Sequence, residues 1–239
     1  MNLAEAWKWR AQGTNPCRFV EKFGESARQR FLSGNEIAAI KKAGAQLLSN
    51  GEITAHAVCI LELLLHTGAR SGELASAQWA WVNWKAQMIM LPDSKTGPKP
   101  IYLSDPAVAL LRQQYARSSD QTFIFPGRSP GKHIHNLRKP WARICTKAGL
   151  SGVRVHDLRH TAASLALGSG ASLAIVGRLL GHSQAQTTIR YAYLEADPAL
   201  RAANLIDKSI HEASAKKDAK RIEGGGAHGS EPEPTNCAR

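Results

Sequence analysis

Cysteine is scarce in this chain, long apolar runs are missing, and acidic residues are in deficit. The four cysteines, Cys17, Cys59, Cys145 and Cys237, form no C-x-x-C pair, and none stands at zinc-ligand spacing from a histidine. That excludes a disulfide-stapled module and a zinc finger, and leaves the scattered reduced thiols expected of a cytosolic protein. The longest apolar stretch, around residues 57–65, is too short to cross a bilayer. Met1 leads into a mixed, charged segment rather than a secretory signal. No membrane partner is expected.

Against 31 Lys and Arg there are 19 Asp and Glu, a formal net charge of +12. In residues 212–239 five acidic and five basic side chains cancel, so the whole excess falls on residues 1–211. A basic folded body points to a polyanionic partner, nucleic acid foremost. Charge alone serves a generally basic soluble protein equally well. With 43% hydrophobic residues the chain has enough apolar material for one large domain with a core, or for one domain plus appendages.

Residues 1–30 read as a leftover: a helix end over 3–10, a break at Gly13-Thr14-Asn15-Pro16, and a charged linker over 18–30. A helix is predicted to start at Ser33-Gly34-Asn35-Glu36, where Ser33 and Glu36 form a capping box. Ile37, Ile40, Ala43 and Leu47 supply its apolar stripe, and Asn50-Gly51 ends it. Residues 54–66 form a helix apolar around most of its circumference, and hence buried, stopped by Thr67-Gly68. A short helix follows over 70–78.

Over 80–103 the period changes to two. Segments 80–84, 87–91 and 99–103 read as a small antiparallel meander, with Pro98 and Pro100 placing its last strand at an edge. Helices resume at 105–117, 139–148, 156–168, 172–180 and 187–193, with a last one near 198–210. The tail, charged and then rich in Gly and Pro, is expected to be disordered. The fold class is therefore α+β, mainly α-helical, with a small three-stranded antiparallel sheet.

Four short motifs carry chemistry. Breaking a phosphodiester without a metal needs a nucleophile, cations on the non-bridging oxygens, a base near the nucleophile and an acid for the leaving oxygen. Arginine suits the second role because its planar fork grips phosphate in two places. His156-Asp157-Leu158-Arg159 puts His156 and Arg159 at i and i+3, on one helix face. Leu180-Gly181-His182 sets His182 in a turn, and Tyr191 follows nine residues later. Arg70 comes just after the buried helix, with Glu73 one turn on. Ser94-Lys95-Thr96-Gly97 places Lys95 on a hairpin tip. Each has an ordinary alternative: a polar helix start, a packing tyrosine, an Arg70–Glu73 surface pair, a solvated turn lysine.

In this order and spacing, T-G-x-R-x-x-E-L, a hairpin lysine, H-x-x-R and L-G-H followed by tyrosine resemble the catalytic domain of the tyrosine recombinases, phage integrases in particular. The resemblance covers roughly residues 31–210. It implies that Tyr191 attacks the scissile phosphate, leaving a 3′-phosphotyrosyl link and a free 5′ hydroxyl. Arg70, Arg159 and His182 would hold the non-bridging oxygens. His156 would assist proton transfer at the tyrosine, Lys95 would protonate the leaving oxygen, and Glu73 would support the site from behind.

The resemblance further implies double-stranded DNA as partner, no cofactor or metal, and a homo-tetramer on paired DNA sites that is weak or monomeric without DNA. It implies a bacterial or phage setting, cytoplasmic and nucleoid-associated. Residues 1–30 would be the linker after an N-terminal core-binding domain, residues 211–239 a disordered tail, and 198–210 an element exchanged between subunits. Tyr193 stands where the family commonly has histidine, two residues from Tyr191. A DNA-relaxing type IB topoisomerase and a non-enzymatic DNA-binding remnant are the competing readings.

Overall fold

The computed structural model describes residues 2–18, 20–21, 30–92, 97–118, 122–182, 186–189, 191, 203 and 206. Lys95, Tyr193, most of the predicted 198–210 helix and the tail lie outside them. The chain divides into two compact units, residues 1–30 and 31–239. The first holds a short helix, α1 (Asn2–Ala6), followed by the edge-to-face pair of Trp7 and Trp9.

The second unit starts where its capping chemistry dictates. In α2 (Gly34–Ser49) Ser33 Oγ accepts from the Glu36 amide while Glu36 returns a carboxylate to the Ser33 amide. Ile40, Ala43 and Leu47, one face of that helix, are buried. The next helix, α3 (Ala55–Thr67), is capped by Thr54, and its Ile60, Leu61, Leu63 and Leu64 are all buried. It is the central helix of the main core. It packs against α5 (Asp105–Arg117) and α7 (Val155–Gly168), while α2 covers α6 (Arg138–Lys147).

Between them come α4 (Ser71–Ala75), a single 3-10 turn at Trp79–Trp81, and the sheet. The first strand, β1 (Val82–Asn83), is shorter than the period-two segment predicted, because Trp79–Trp81 coil into the 3-10 turn. With β2 (Met88–Leu91) and β3 (Lys99–Tyr102) it forms an antiparallel meander in the order β1-β2-β3. Ile89 pairs with Ile101, and both point into the core. Pro100 is accommodated because β3 is an edge strand. Strand pleating turns alternate residues to one face, so Lys99 points inward beside Ile101 and is 6% exposed.

A second, smaller cluster joins α7 to α8 (Leu173–Leu180) and α9 (Gln186–Ile189). Ala163, Leu167, Val176, Leu180 and Tyr191 form it, with Phe31 and Leu173 against its rim. Gly177 makes the approach of α9 possible, since a β-carbon there would stand 2.9 Å from Thr188 Oγ1. No helix of the described residues is long and apolar enough to cross a membrane.

Candidate active site

The end of α3 is the first fixed point. Gly68 caps it in the left-handed region, with φ of 62°. A β-carbon at Gly68 would lie 2.7 Å from Leu180 Cδ2 and 3.3 Å from the Ala162 methyl, so glycine also lets α7 and α8 close onto this turn. Arg70 follows two residues later, at the start of α4. Its amide and its Nη1 both donate to Glu73, at 3.2 and 2.8 Å. The guanidinium is half exposed.

Arg159, on α7, is 4% exposed. Its Nη1 donates to the Gly68 carbonyl at 2.6 Å and its Nη2 to the Leu180 carbonyl at 3.0 Å. A buried guanidinium is costly without acceptors, and these two carbonyls offset that cost. They also belong to the turns that launch Arg70 and His182. One side chain thus ties three distant segments together, 91 and 21 residues from itself in sequence.

His182 follows Gly181, the C-cap of α8, and its Nδ1 shares a hydrogen bond of 2.8 Å with Thr188 Oγ1. His156, in the first turn of α7, is exposed, and its ring meets that of His160 edge-on at 4.9 Å. Tyr191 is 3% exposed in the small cluster, and its Oη shares a hydrogen bond of 2.7 Å with His160 Nδ1. The phenol is therefore sheltered from solvent, with its oxygen turned to His160.

Two side chains in contact with the candidate residues escaped sequence reasoning. Lys99 Nζ lies 2.7 Å from Glu73 Oε2, so Glu73 receives both Lys99 and Arg70. Burial pushes the Lys99 ammonium below its ordinary value; Glu73 opposes this, and the nearby charges of Arg70 and Arg159 reinforce it. Burial pushes the Glu73 carboxyl up, but hydrogen bonds from Lys99 and Arg70 outweigh it and hold the group below its usual range. The other is His160, the partner of Tyr191. A signal existed for each: Lys99 is two residues from the apolar Ile101 on one strand face, and His160 is one turn from His156.

The structure thus brings Arg70, Glu73, Arg159 and Lys99 into one basic neighbourhood, with His182 beside it across Gly181. His156 and Tyr191 are linked through His160. Such a grouping of arginines, lysine and imidazoles is chemically suited to hold an anion and to move a proton at a phenol.

Residues 30–197 match the phage integrase family. Tyrosine recombinase XerA of Saccharolobus solfataricus is 29% identical over 183 residues, which cover 75% of this chain and 61% of that protein. The XerH site-specific recombinase, in a post-cleavage complex with palindromic difH substrate, has a similar structure. Its TM-score is 0.61 at 18% identity, over 79% of this chain and 56% of that one. The catalytic domain of bacteriophage HP1 integrase gives a TM-score of 0.55 at 21% identity, over 74% of this chain and 94% of its own. These structures show the fold. The chain spans about half the length of the curated relatives it matches, between 46% and 61% for the first three.

Proposed function

The chain belongs to the phage integrase family, and from that premise we propose that it is the catalytic part of a site-specific recombinase, which cuts and rejoins duplex DNA through a phosphotyrosyl bond. The observation that carries this reading is the pair of bonds from Arg159 to the Gly68 and Leu180 carbonyls. They assemble motifs from three parts of the sequence into one basic site.

In the proposed reaction the Tyr191 oxygen attacks the scissile phosphorus, and the bond to the 5′ oxygen breaks. Arg70, Arg159 and His182 stabilise the charge that grows on the non-bridging oxygens. His156, one turn before Arg159 on α7, assists proton transfer at the tyrosine. Glu73, gripped by Lys99, keeps Arg70 turned to the site. Lys95 supplies the proton that the leaving oxygen takes. A 5′ hydroxyl then attacks the phosphotyrosine and restores the backbone. Free tyrosine, with a pKa near about 10, is a weak nucleophile at neutral pH, and a cationic site lowers the cost of its ionisation.

The net charge of +12 supports duplex DNA as the partner. We assign the protein a tetramer on paired DNA sites, with the cytoplasm and nucleoid as its place of action. Residues 1–30 act as a linker, residues 31–210 as the catalytic domain and residues 211–239 as a tail. The division at residue 30 supports the first boundary.

The test is covalent capture. The chain is incubated with nicked suicide duplexes carrying a randomised core, denatured, and searched for protein–DNA adducts by peptide mass mapping. An adduct on Tyr191, abolished in Tyr191→Phe and kept in Tyr193→Phe, is the expected result. Absence of any adduct overturns the reading, and an adduct on Tyr193 overturns the choice of nucleophile.

A further inference from the structure

The sequence pattern assigns the tyrosine's proton to His156, but the geometry puts a different imidazole on the phenol. His160 Nδ1 is 2.7 Å from Tyr191 Oη, within ordinary hydrogen-bonding distance. The two rings are 5.7 Å apart and inclined at 54°, so the contact runs through the heteroatoms rather than through stacking. Tyr191 is held there from several sides by Ala163, Leu167, Val176 and Leu180, which fixes the phenol against α7. His156, Arg159 and His160 stand at i, i+3 and i+4, positions that share one helix face. A phenol held at His160 therefore lies one imidazole away from His156, on a helix whose Arg159 reaches the Leu180 carbonyl of the same small cluster.

We propose that His160 is a catalytic residue of this chain: it holds the Tyr191 phenol and takes its proton when the phosphate is attacked. This rests on the reading of Tyr191 as the nucleophile. The imidazole acts as its Nε2–H tautomer, so that Tyr191 Oη donates to Nδ1. As the oxygen forms its bond to phosphorus, its proton passes to Nδ1 and the imidazole becomes imidazolium. The bond to the 5′ oxygen breaks, and that oxygen takes a proton from the acid on its own side, assigned above to Lys95. In the rejoining step the 5′ hydroxyl attacks, the tyrosine oxygen leaves, and His160 returns its proton. No other reactant is consumed. His156, edge-on to His160 at 4.9 Å, orients the ring.

Two measurements on the full chain decide this. Nitrogen-15 spectra of the histidines need no DNA. The His160 resonances should show the Nε2–H tautomer with Nδ1 accepting a hydrogen bond, and Tyr191→Phe should shift them while leaving His133 in place. An unshifted His160 overturns the contact. The second measurement is the rate of adduct formation on suicide duplexes. His160→Ala should be slowed about a hundredfold, in the range of a lost general base, and added imidazole should restore part of the rate. His160→Gln keeps hydrogen-bonding capacity without basicity and should stay slow. A native rate in either variant, or a His160→Ala rate that ignores imidazole, overturns the proton-transfer role. If the native chain attaches to no duplex, the recombinase reading fails and takes the catalytic role with it. If it attaches through Tyr191 but His160→Gln matches it, only the role of His160 fails.

Discussion

Lys99 Nζ lies 2.7 Å from Glu73 Oε2, with the two side chains 7% and 17% exposed. An ammonium on the edge strand is thereby locked to the helix that presents Arg70. This couples the sheet to the C-terminal end of α3, since Glu73 also holds Arg70 at 2.8 Å.

Removing the ammonium without removing the carboxylate should therefore be costly. In Lys99→Met, Glu73 keeps Arg70 but loses a charged hydrogen bond in a poorly solvated place. A loss of about 2 kcal/mol in unfolding free energy is expected from urea titration followed by tryptophan fluorescence. Glu73→Gln in the same chain should recover part of it, because neutral replacement of both partners of a buried pair is often nearly free. Equal stability of Lys99→Met and the native chain would show that the pair contributes nothing.

The acid limb of stability should carry the mark of Glu73. Its folded carboxyl titrates below the ordinary 4.5, so the folded state holds its proton less firmly than the unfolded one. The stabilisation is fully present above 4.5 and is lost as pH falls through the lower folded value. Lys99 has the same sign at the other end: with its folded value below 10.5, stability rises with pH between the two. Denaturant midpoints measured on either side of pH 4.5 should fall less steeply in Glu73→Gln than in the native chain.

What was legible in the sequence follows the range of the forces involved. The two helices 34–49 and 55–67 could be read because caps and periodicity are local, and Ser33, Glu36, Thr54 and Gly68 all act within a turn of their own helix ends. The meander and its edge strand were readable from Pro100 and alternation. The length of β1 was not, because Trp79–Trp81 are apolar in either a strand or a 3-10 turn. The motif residues were visible as types at spacings. The contacts of Lys99 with Glu73 and of His160 with Tyr191 span 26 and 31 residues, and depend on how α4 meets β3 and how the chain after α8 returns to α7. No local pattern encodes those approaches.

Arginine at 159 should not be replaceable by lysine. The guanidinium reaches two carbonyls, of Gly68 and Leu180, at once. An ammonium can serve one of them well and lacks the planar fork that fits both. Arg159→Lys should lose about 2 kcal/mol of stability, from one charged hydrogen bond. Adduct formation on suicide duplexes should fall roughly a hundredfold, as expected when a preorganised donor to the transition state is lost. Retention of full adduct yield would place Arg159 in the scaffold alone.

Gly181 is required twice over, and the two requirements can be separated. Its φ of 64° costs an L-residue roughly 1–2 kcal/mol. A β-carbon there would also overlap Lys99 Cε and lie 2.7 Å from Lys99 Cδ and Nζ. Gly181→Ala should therefore lose more stability than the backbone term, because the added methyl drives Lys99 off Glu73. In a chain already carrying Lys99→Ala the obstructing atoms are gone, and the further loss on Gly181→Ala should shrink to the backbone cost alone. Chemical unfolding of the two single variants and the double variant measures this coupling. Losses that simply add would mean that Lys99 moves aside freely and that only the left-handed turn before His182 demands glycine.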